Sequence, residues 1–228
     1  MPDDPPPATP GDGGGTRTLS EADSKALLAT HGVPVLDERL VPTPQAAADA
    51  AAELGFPVVA KLCGSNIAHK TERGLVRLGL AEGAAVQAAA AELLAAGRPG
   101  DGVTGVLVAP MVAGHRELIA GVATDPQFGP AVMLGVGGVL AEALGDVAFR
   151  LVPLSRVDAQ DLVDDLATQA LLGPFRGEPA VDRDALADLL VALSALVEAD
   201  PGIRSVDLNP LLFVDGRPVA VDALVERA

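Results

Sequence analysis

The segment from Lys61 to Lys70, KLCGSNIAHK, gathers side chains suited to binding and transferring phosphate. The chain has only three lysines and three histidines, and this segment holds two of the lysines together with His69. Lys61 ends the apolar run PVVAKL, and Lys70 follows in a polar turn. Two ammonium groups can hold phosphate oxygens here beside an imidazole nucleophile. The segment therefore predicts a site for a nucleotide phosphate.

A second set of candidate residues lies near the end of the sequence, in the motifs DLNP and VAVDA. The dipeptide Asp215-Gly216 between them is typical of a β-hairpin turn. Across this hairpin Asn209 and Asp222 would meet, and Asp207 shares a strand face with Asn209. Their oxygens suit Mg²⁺, which takes one or two carboxylates together with phosphates and water. Asp207 and Asn209 could instead cap a turn before Pro210, and the motif alone leaves both interpretations open.

Glu117 begins the apolar run ELIAGV, so it places a carboxylate at the start of a buried strand. It could border a ligand cleft or lie in solvent at the strand's end. His115, in the turn before it, is expected on the surface.

Glycines are dense in residues 125–146, which include GVGG, and they allow the backbone to approach a ligand closely. The chain has no GxxxxGK[ST] motif, which disfavours a P-loop NTPase.

Composition excludes several classes of protein. The formal charge of −15 and the lack of Trp and Tyr disfavour nucleic acid as a partner. No uninterrupted apolar run reaches the length of about 18 residues that a membrane-spanning helix needs. The single cysteine, Cys63, cannot form an internal disulfide, and the N-terminus lacks the features of a secretory signal, so we expect a cytoplasmic protein.

Periodicity predicts an α+β fold that follows a disordered tail. Residues 1–18 are rich in Pro, Gly and Asp and predict the tail. A first helix follows the N-cap Ser20 and stops at Gly32. The remaining predicted helices are 44–54, 84–96, 156–167 and 182–199, and the predicted strands are 33–41, 57–62, 75–80, 103–112, 116–123, 131–135, 148–152, 204–214 and 218–224.

Taken in order, the motifs resemble one family, the ATP-grasp subunits of the NDP-forming acyl-CoA synthetases. The resemblance covers residues 19–228. It rests on LSEADSKALLATHGVPV, GFPVVAKL, NIAHKTERG, GVLVAPMV, ELIAGVATDPQFGPAVMLGVGG, FRLVPL, LLGPFRGEP and DLNPLLFVDGRPVAVDA. It implies two α/β lobes that clasp a nucleotide: a small lobe over 33–112 and a large lobe over 113–228, with helix 20–31 packing on the large lobe.

The resemblance also implies roles for individual residues. His69 would accept a phosphoryl group, and Glu117 would border the reacting phosphate. Lys61 would bind the phosphates of ATP or ADP. The other implied ligand or cleft residues are Lys70, Gly137, Gly138 and Arg176, and the implied Mg²⁺ ligands are Asp207, Asn209 and Asp222.

The implied reaction converts acyl-CoA, ADP and phosphate to free acid, CoA and ATP through an acyl phosphate and a phosphohistidine. It requires a separate CoA-binding α-type subunit, so we expect a hetero-oligomer. The alternatives are an ATP-grasp ligase that joins a carboxylate to an amine or another thiol, and a noncatalytic nucleotide-binding subunit. The histidine loop departs from the family, since Ser65-Asn66 replaces its usual proline-aspartate and Gly74-Leu75 replaces its double glycine.

Overall fold

The structure is a computed structural model that describes residues 16–67, 70–138 and 145–228. These residues form two antiparallel sheets, each covered by helices, and they confirm the predicted α+β class. We call the part built on the four-stranded sheet the small lobe and the part built on the seven-stranded sheet the large lobe. None of the described helices is long and apolar enough to span a bilayer.

The small lobe has the strand order β2-β5-β3-β4. Helix α2 begins where Thr43 accepts a hydrogen bond from the Ala46 amide, and it stops at Gly55, whose φ is +87°. In the core of the small lobe, α2 and α3 pack against the sheet through residues such as Ala51, Leu62 and Leu93. The elements are β2 (Arg39–Val41), α2 (Pro44–Leu54), β3 (Val58–Gly64), β4 (Val76–Leu80), α3 (Gly83–Ala95) and β5 (Val103–Pro110).

The large lobe has the strand order β1-β11-β9-β6-β7-β8, and β10 also pairs with β9. Leu28 of helix α1 belongs to the large-lobe core. The elements are β1 (Arg17–Thr18), α1 (Glu21–Thr30), β6 (Leu118–Asp125), β7 (Gly129–Val136), β8 (Val147–Leu151), α4 (Arg156–Asp164), a 3₁₀ turn (Gln169–Leu172), α5 (Arg183–Ala199), β9 (Ile203–Val214), β10 (Arg217–Ala220) and β11 (Leu224–Arg227).

The predicted tail of residues 1–18 is wrong at Arg17 and Thr18. Arg17 and Thr18 form β1 and pair with β11, and residues 1–15 lie outside the described part of the chain. Strand pairing uses backbone groups, so a segment without apolar side chains can join a sheet edge. Composition alone could not show this.

The predicted strand 218–224 is divided into β10 and β11. Leu211 pairs with Ala220 and Asp207 with Leu224, so both strands follow β9 in one register, and residues 221–223 lie opposite 208–210. Pro210 has no N–H to donate to the ladder. The shared register sets Asn209 opposite Asp222, as the hairpin predicted.

Candidate active site

Two adjoining cavities lie between the lobes and share Thr71, Pro210 and Asp222 in their walls. The apolar cavity, of about 340 Å³, is lined mainly by aliphatic side chains from both lobes, and Lys61 and Asp222 form its polar end. Its aliphatic lining includes Val59, Val76, Leu78, Met111 and Leu212. The polar cavity, of about 400 Å³, is lined by Ile67, Lys70, Thr71, Glu72, Asp207, Asn209, Pro210, Asp222, Ala223 and Leu224.

All three lysines of the chain converge on the carboxylate of Glu21. Lys25 and Lys61 donate hydrogen bonds to Glu21 Oε1, with lengths of 2.9 and 2.6 Å. Lys70 Nζ lies 3.0 Å from Oε2, in an ion pair without a well-aligned hydrogen bond. The Glu21 side chain is only 2% exposed. One buried carboxylate therefore links helix α1 to Lys61 and Lys70, the two lysines that the sequence predicts to bind phosphate.

Two further acids complete this group, which we call the lysine cluster: Lys25, Lys61, Lys70, Glu21, Glu38 and Asp222. Lys25 pairs with Glu38 at 2.7 Å. Asp222 lies 3.7 Å from Lys61 and 3.5 Å from Lys70. The three ammonium groups and three carboxylates balance in formal charge, which a buried cluster requires because an uncompensated buried ion is costly.

The backbone carbonyl of Val221 also holds the cluster. It accepts hydrogen bonds from Lys25 at 3.0 Å and from Lys61 at 2.7 Å. Val221 lies in the gap between β10 and β11. The interruption of the strand ladder beside Pro210 therefore places a large-lobe carbonyl in contact with a small-lobe lysine.

Pairing stabilises the charged forms of Glu21 and Lys70. Burial by itself raises the pKa of Glu21, but Lys61, Lys25 and Lys70 outweigh burial and hold the pKa far below its ordinary value. Burial lowers the pKa of Lys70, whereas Glu21 and Asp222 raise it, and the net direction is upward. The pairing therefore favours the charged forms of Glu21 and Lys70.

The predicted metal ligands Asp207, Asn209 and Asp222 come together in the wall of the polar cavity. Burial, then the charge of Asp222, raises the pKa of Asp207. Burial and Glu21 raise the pKa of Asp222, although Lys61 and Lys70 oppose this. Two carboxylates that repel each other in a partly buried wall suit a divalent cation between them. No three His, Cys, Asp or Glu side chains in the described ranges form a metal site by themselves, so a cation here would also draw on Asn209 and on ligand oxygens.

His69 lies outside the described residues, but both ends of its loop are described. At the first end Asn66 donates its backbone N–H to Asp101 O and its side-chain amide to Gly100 O, both at 3.0 Å. At the other end Arg73 donates two hydrogen bonds, of 3.0 and 2.8 Å, to the Asp101 carboxylate. The residue that replaces the family's aspartate, Asn66, is thus one anchor of the loop.

Glu117 contacts the predicted glycines. Gly137 donates its N–H to Glu117 O at 2.9 Å, and a Cβ on Gly138 would come within 3.2 Å of Glu117 Oε2. Gly138 also has a φ of +75°, which favours glycine. None of these three residues lines the two cavities as the described chain forms them.

Arg176 also lies apart from the two cavities and stacks on Phe175, 5.4 Å from the ring centre. Its loop is held by Arg116, a buried residue that the sequence analysis did not identify. Arg116 donates to the carbonyls of Gly173 at 2.7 Å and Pro179 at 3.1 Å. The loop walls a third cavity of about 490 Å³, which shares Pro110, Met111 and Val112 with the apolar cavity.

Sequence reasoning missed Glu21 and Lys25. Their i,i+4 spacing on α1 is a weak signal for an ion pair. A stronger signal is that Lys25 is the only lysine outside the 61–70 segment. In a chain so poor in lysine, a third one spaced i,i+4 from an acid on a helix indicates a specific position.

Comparison with known proteins places these residues in a family context. A model described as an ATP-grasp domain matches residues 13–226. The β subunit of ADP-forming acetate–CoA ligase I from Pyrococcus furiosus is 34% identical over 210 residues, which are 91% of this chain and 90% of that subunit.

Solved structures of acetyl-coenzyme A synthetase 1 from Candidatus Korarchaeum cryptofilum have the same fold. The complex with coenzyme A and Ca-AMPCP aligns with a TM-score of 0.87 and 33% identity, covering 93% of this chain and 94% of the other. A second complex holds coenzyme A and Mg-AMPPCP, with a phosphohistidine segment pointing towards the nucleotide-binding site. It aligns with a TM-score of 0.80 and 34% identity, covering 92% and 93%.

We predict that Glu21→Gln lowers the free energy of unfolding by about 3–5 kcal/mol at pH 7, because it leaves three buried ammonium groups with too little negative charge. Adding Lys25→Met should restore much of this loss, since the pair is then replaced by neutral side chains of similar size. Denaturant titration of both variants measures the difference. Equal stability of Glu21→Gln and wild type would contradict a role for this carboxylate in holding the cluster.

The loss of stability predicted for Glu21→Gln depends on pH. The pKa of Glu21 is lower in the folded chain than its unfolded value of about 4.3, so its stabilisation is fully present above that pH. The stabilisation is lost as the pH falls towards the folded-state pKa. The gap between wild type and Glu21→Gln should therefore narrow below about pH 4.

Proposed function

We propose that this chain, which belongs to the ATP-grasp family, is the nucleotide-binding β-type subunit of an NDP-forming acyl-CoA synthetase. The overall reaction converts acyl-CoA, ADP and phosphate to acid, CoA and ATP. The observation that carries this proposal is the cleft itself. Lys61 stands where an apolar cavity meets a polar one, and the wall of the polar cavity holds Lys70 beside Asp207, Asn209 and Asp222.

In this proposal the apolar cavity holds the adenine and the polar cavity holds the phosphates. Aliphatic side chains such as Val59, Met111 and Leu212 suit the faces of a flat heterocycle. Lys61 lies at the boundary and Lys70 in the polar cavity, where their ammonium groups offset phosphate charge. In a chain of net charge −15 these local cations are needed for an anion to bind.

Asp207, Asn209 and Asp222 would hold Mg²⁺. The metal would neutralise phosphate charge and orient the transferred group. Their hard oxygens and the repulsion between the two carboxylates fit this ion. The Mg-AMPPCP complex of the Korarchaeum enzyme supports the choice of metal.

His69 is the proposed phosphoryl carrier. A neutral imidazole nitrogen forms the P–N bond as the bond from phosphorus to its previous partner breaks, and ADP then takes the group by in-line attack of a β-phosphate oxygen. Its neighbours Ile67 and Lys70 line the polar cavity, and the loop is anchored by Asn66 and Arg73. Glu117, Gly137, Gly138 and Arg176 are proposed to border the nucleotide-loaded cleft.

The partner would be a CoA-binding α-type subunit that forms the acyl phosphate, giving a hetero-oligomer. The Pyrococcus relative, of nearly the same length, is itself named as a β subunit. An ATP-grasp ligase acting on another nucleophile, or a nucleotide-binding subunit without turnover, would need the same cleft but not His69. The requirement for His69 therefore distinguishes the synthetase from the two alternatives.

We expect Lys61→Ala to weaken Mg·ATP binding by about tenfold or more, because it removes a cation from the boundary of the two cavities. Isothermal calorimetry measures the effect. Arg77→Ala, which removes a more exposed cation of the small lobe, should bind like wild type. Wild-type affinity in Lys61→Ala would remove this lysine from the phosphate site.

Alanine substitution of Asn209 or Asp222 should raise the Mg²⁺ concentration needed for nucleotide binding, since each removes a proposed metal ligand. Binding is titrated against Mg²⁺ at fixed ADP. A variant that loses ADP affinity equally with and without Mg²⁺ would argue that the residue acts on the nucleotide or on folding, not on the metal.

An acid-labile phosphate should form on His69 after incubation with Mg·ATP, or with the partner subunit and acyl phosphate. It should be absent in His69→Ala, while His69→Asn should keep nucleotide binding and block transfer. Phosphopeptide mapping at neutral pH detects it. Full acyl-CoA synthesis by His69→Ala with its partner would defeat the phosphohistidine step and leave the ATP-grasp assignment intact.

A further inference from the structure

Glu21 lines neither cavity, yet it contacts both lysines proposed to bind phosphate. We propose that Glu21 is a positioning residue that holds Lys61 and Lys70 in the orientation in which they receive the nucleotide phosphates. This inference rests on the proposed function and extends it to a residue behind the cleft wall.

The hydrogen bonds of Lys61 show how positioning would work. An ammonium group has three N–H donors. Two of them are taken by Glu21 Oε1 at 2.6 Å and Val221 O at 2.7 Å, which leaves one for a ligand. A lysine side chain otherwise loses much rotamer entropy when a ligand orders it. Glu21 imposes that order before the ligand arrives, as preorganisation requires.

Glu21 also holds the lysines more closely than a second acid, Asp222, does. Asp222 lies 3.7 Å from Lys61 and 3.5 Å from Lys70, against 2.6 and 3.0 Å for Glu21. Without Glu21, Asp222 becomes the nearest carboxylate to both ammonium groups. Their present, longer pairing with this proposed metal ligand would then tighten, and both the phosphates and the metal would have to displace the tighter pairing.

The change in net charge alone predicts the opposite effect of losing Glu21 on phosphate binding. Removing a carboxylate makes the cleft more positive, which would tighten phosphate binding. The two effects are separated by comparing variants of equal net charge.

Two double variants provide this comparison. Glu21→Gln with Lys25→Met and Glu38→Gln with Lys25→Met each remove Lys25 and one carboxylate that contacts it. Only the first pair removes the contacts of Glu21 with Lys61 and Lys70. The second pair is the control for the loss of Lys25 and for any general loosening of the cluster. Calorimetry on the full chain measures binding of Mg·ADP and of adenosine, which has no phosphate.

The E21Q/K25M variant should bind Mg·ADP about tenfold or more weakly than wild type, whereas E38Q/K25M should stay within about twofold. Adenosine should bind equally to all three proteins. Wild-type or tighter ADP binding in E21Q/K25M would overturn the proposal, and so would an equal loss for adenosine, which indicates a purely structural role.

Glu21→Asp keeps the charge but shortens the side chain, and it decides the question if E21Q/K25M does not fold. Weaker Mg·ADP binding with unchanged adenosine binding supports positioning, and wild-type binding of both ligands overturns it. If the wild type itself binds no Mg·ADP, the proposed function fails. If the wild type binds and the Glu21 variants match it, only the role of Glu21 fails.

Discussion

The cleft is organised by the need to neutralise buried charge. The lysines lie in a wall that is largely closed to water, and an ammonium group is stable there only beside compensating acids. Glu21 meets this need for Lys25, Lys61 and Lys70 together. The cluster draws its members from helix α1, from residue Glu38 just before β2, from β3 and its following loop, and from the β10–β11 connection. Charge neutrality thus ties the two lobes together at the place where a ligand would bind.

A break in a strand ladder makes this arrangement possible. Pro210 has no N–H for its neighbours, and the ladder of β9 is interrupted opposite residues 221–223. Within that gap the Val221 carbonyl accepts two lysine hydrogen bonds, and Asp222 reaches the walls of both cavities. One irregularity in the sheet therefore serves the lysine cluster and the proposed metal ligands alike.

Small-lobe residues anchor the two ends of the histidine loop. Asn66 and Arg73 both bind the turn at 100–101, and Arg73 does so through two hydrogen bonds to one carboxylate. The sequence Ser65-Asn66, which departs from the family, is compatible with a fixed start of the loop because Asn66 itself donates two hydrogen bonds. These contacts hold the ends of the loop, and its residues 70–72 line the polar cavity together with Asp207, Asn209 and Asp222 of the large lobe.

The sequence by itself determined the features that depend on neighbours along the chain. Thr43-Pro44 and Gly55 set the ends of α2, and Asp215-Gly216 set the hairpin that brings Asn209 opposite Asp222. Only the tertiary structure decided which acid the lysines meet, because Glu21 is 40 residues from Lys61 and reaches it only after α1 docks on the large lobe. The same reason explains why Glu117 contacts Gly137 and Gly138, and why Arg17 and Thr18 join the sheet. Sequence motifs identify the candidate side chains, whereas packing between distant segments determines which residues they contact.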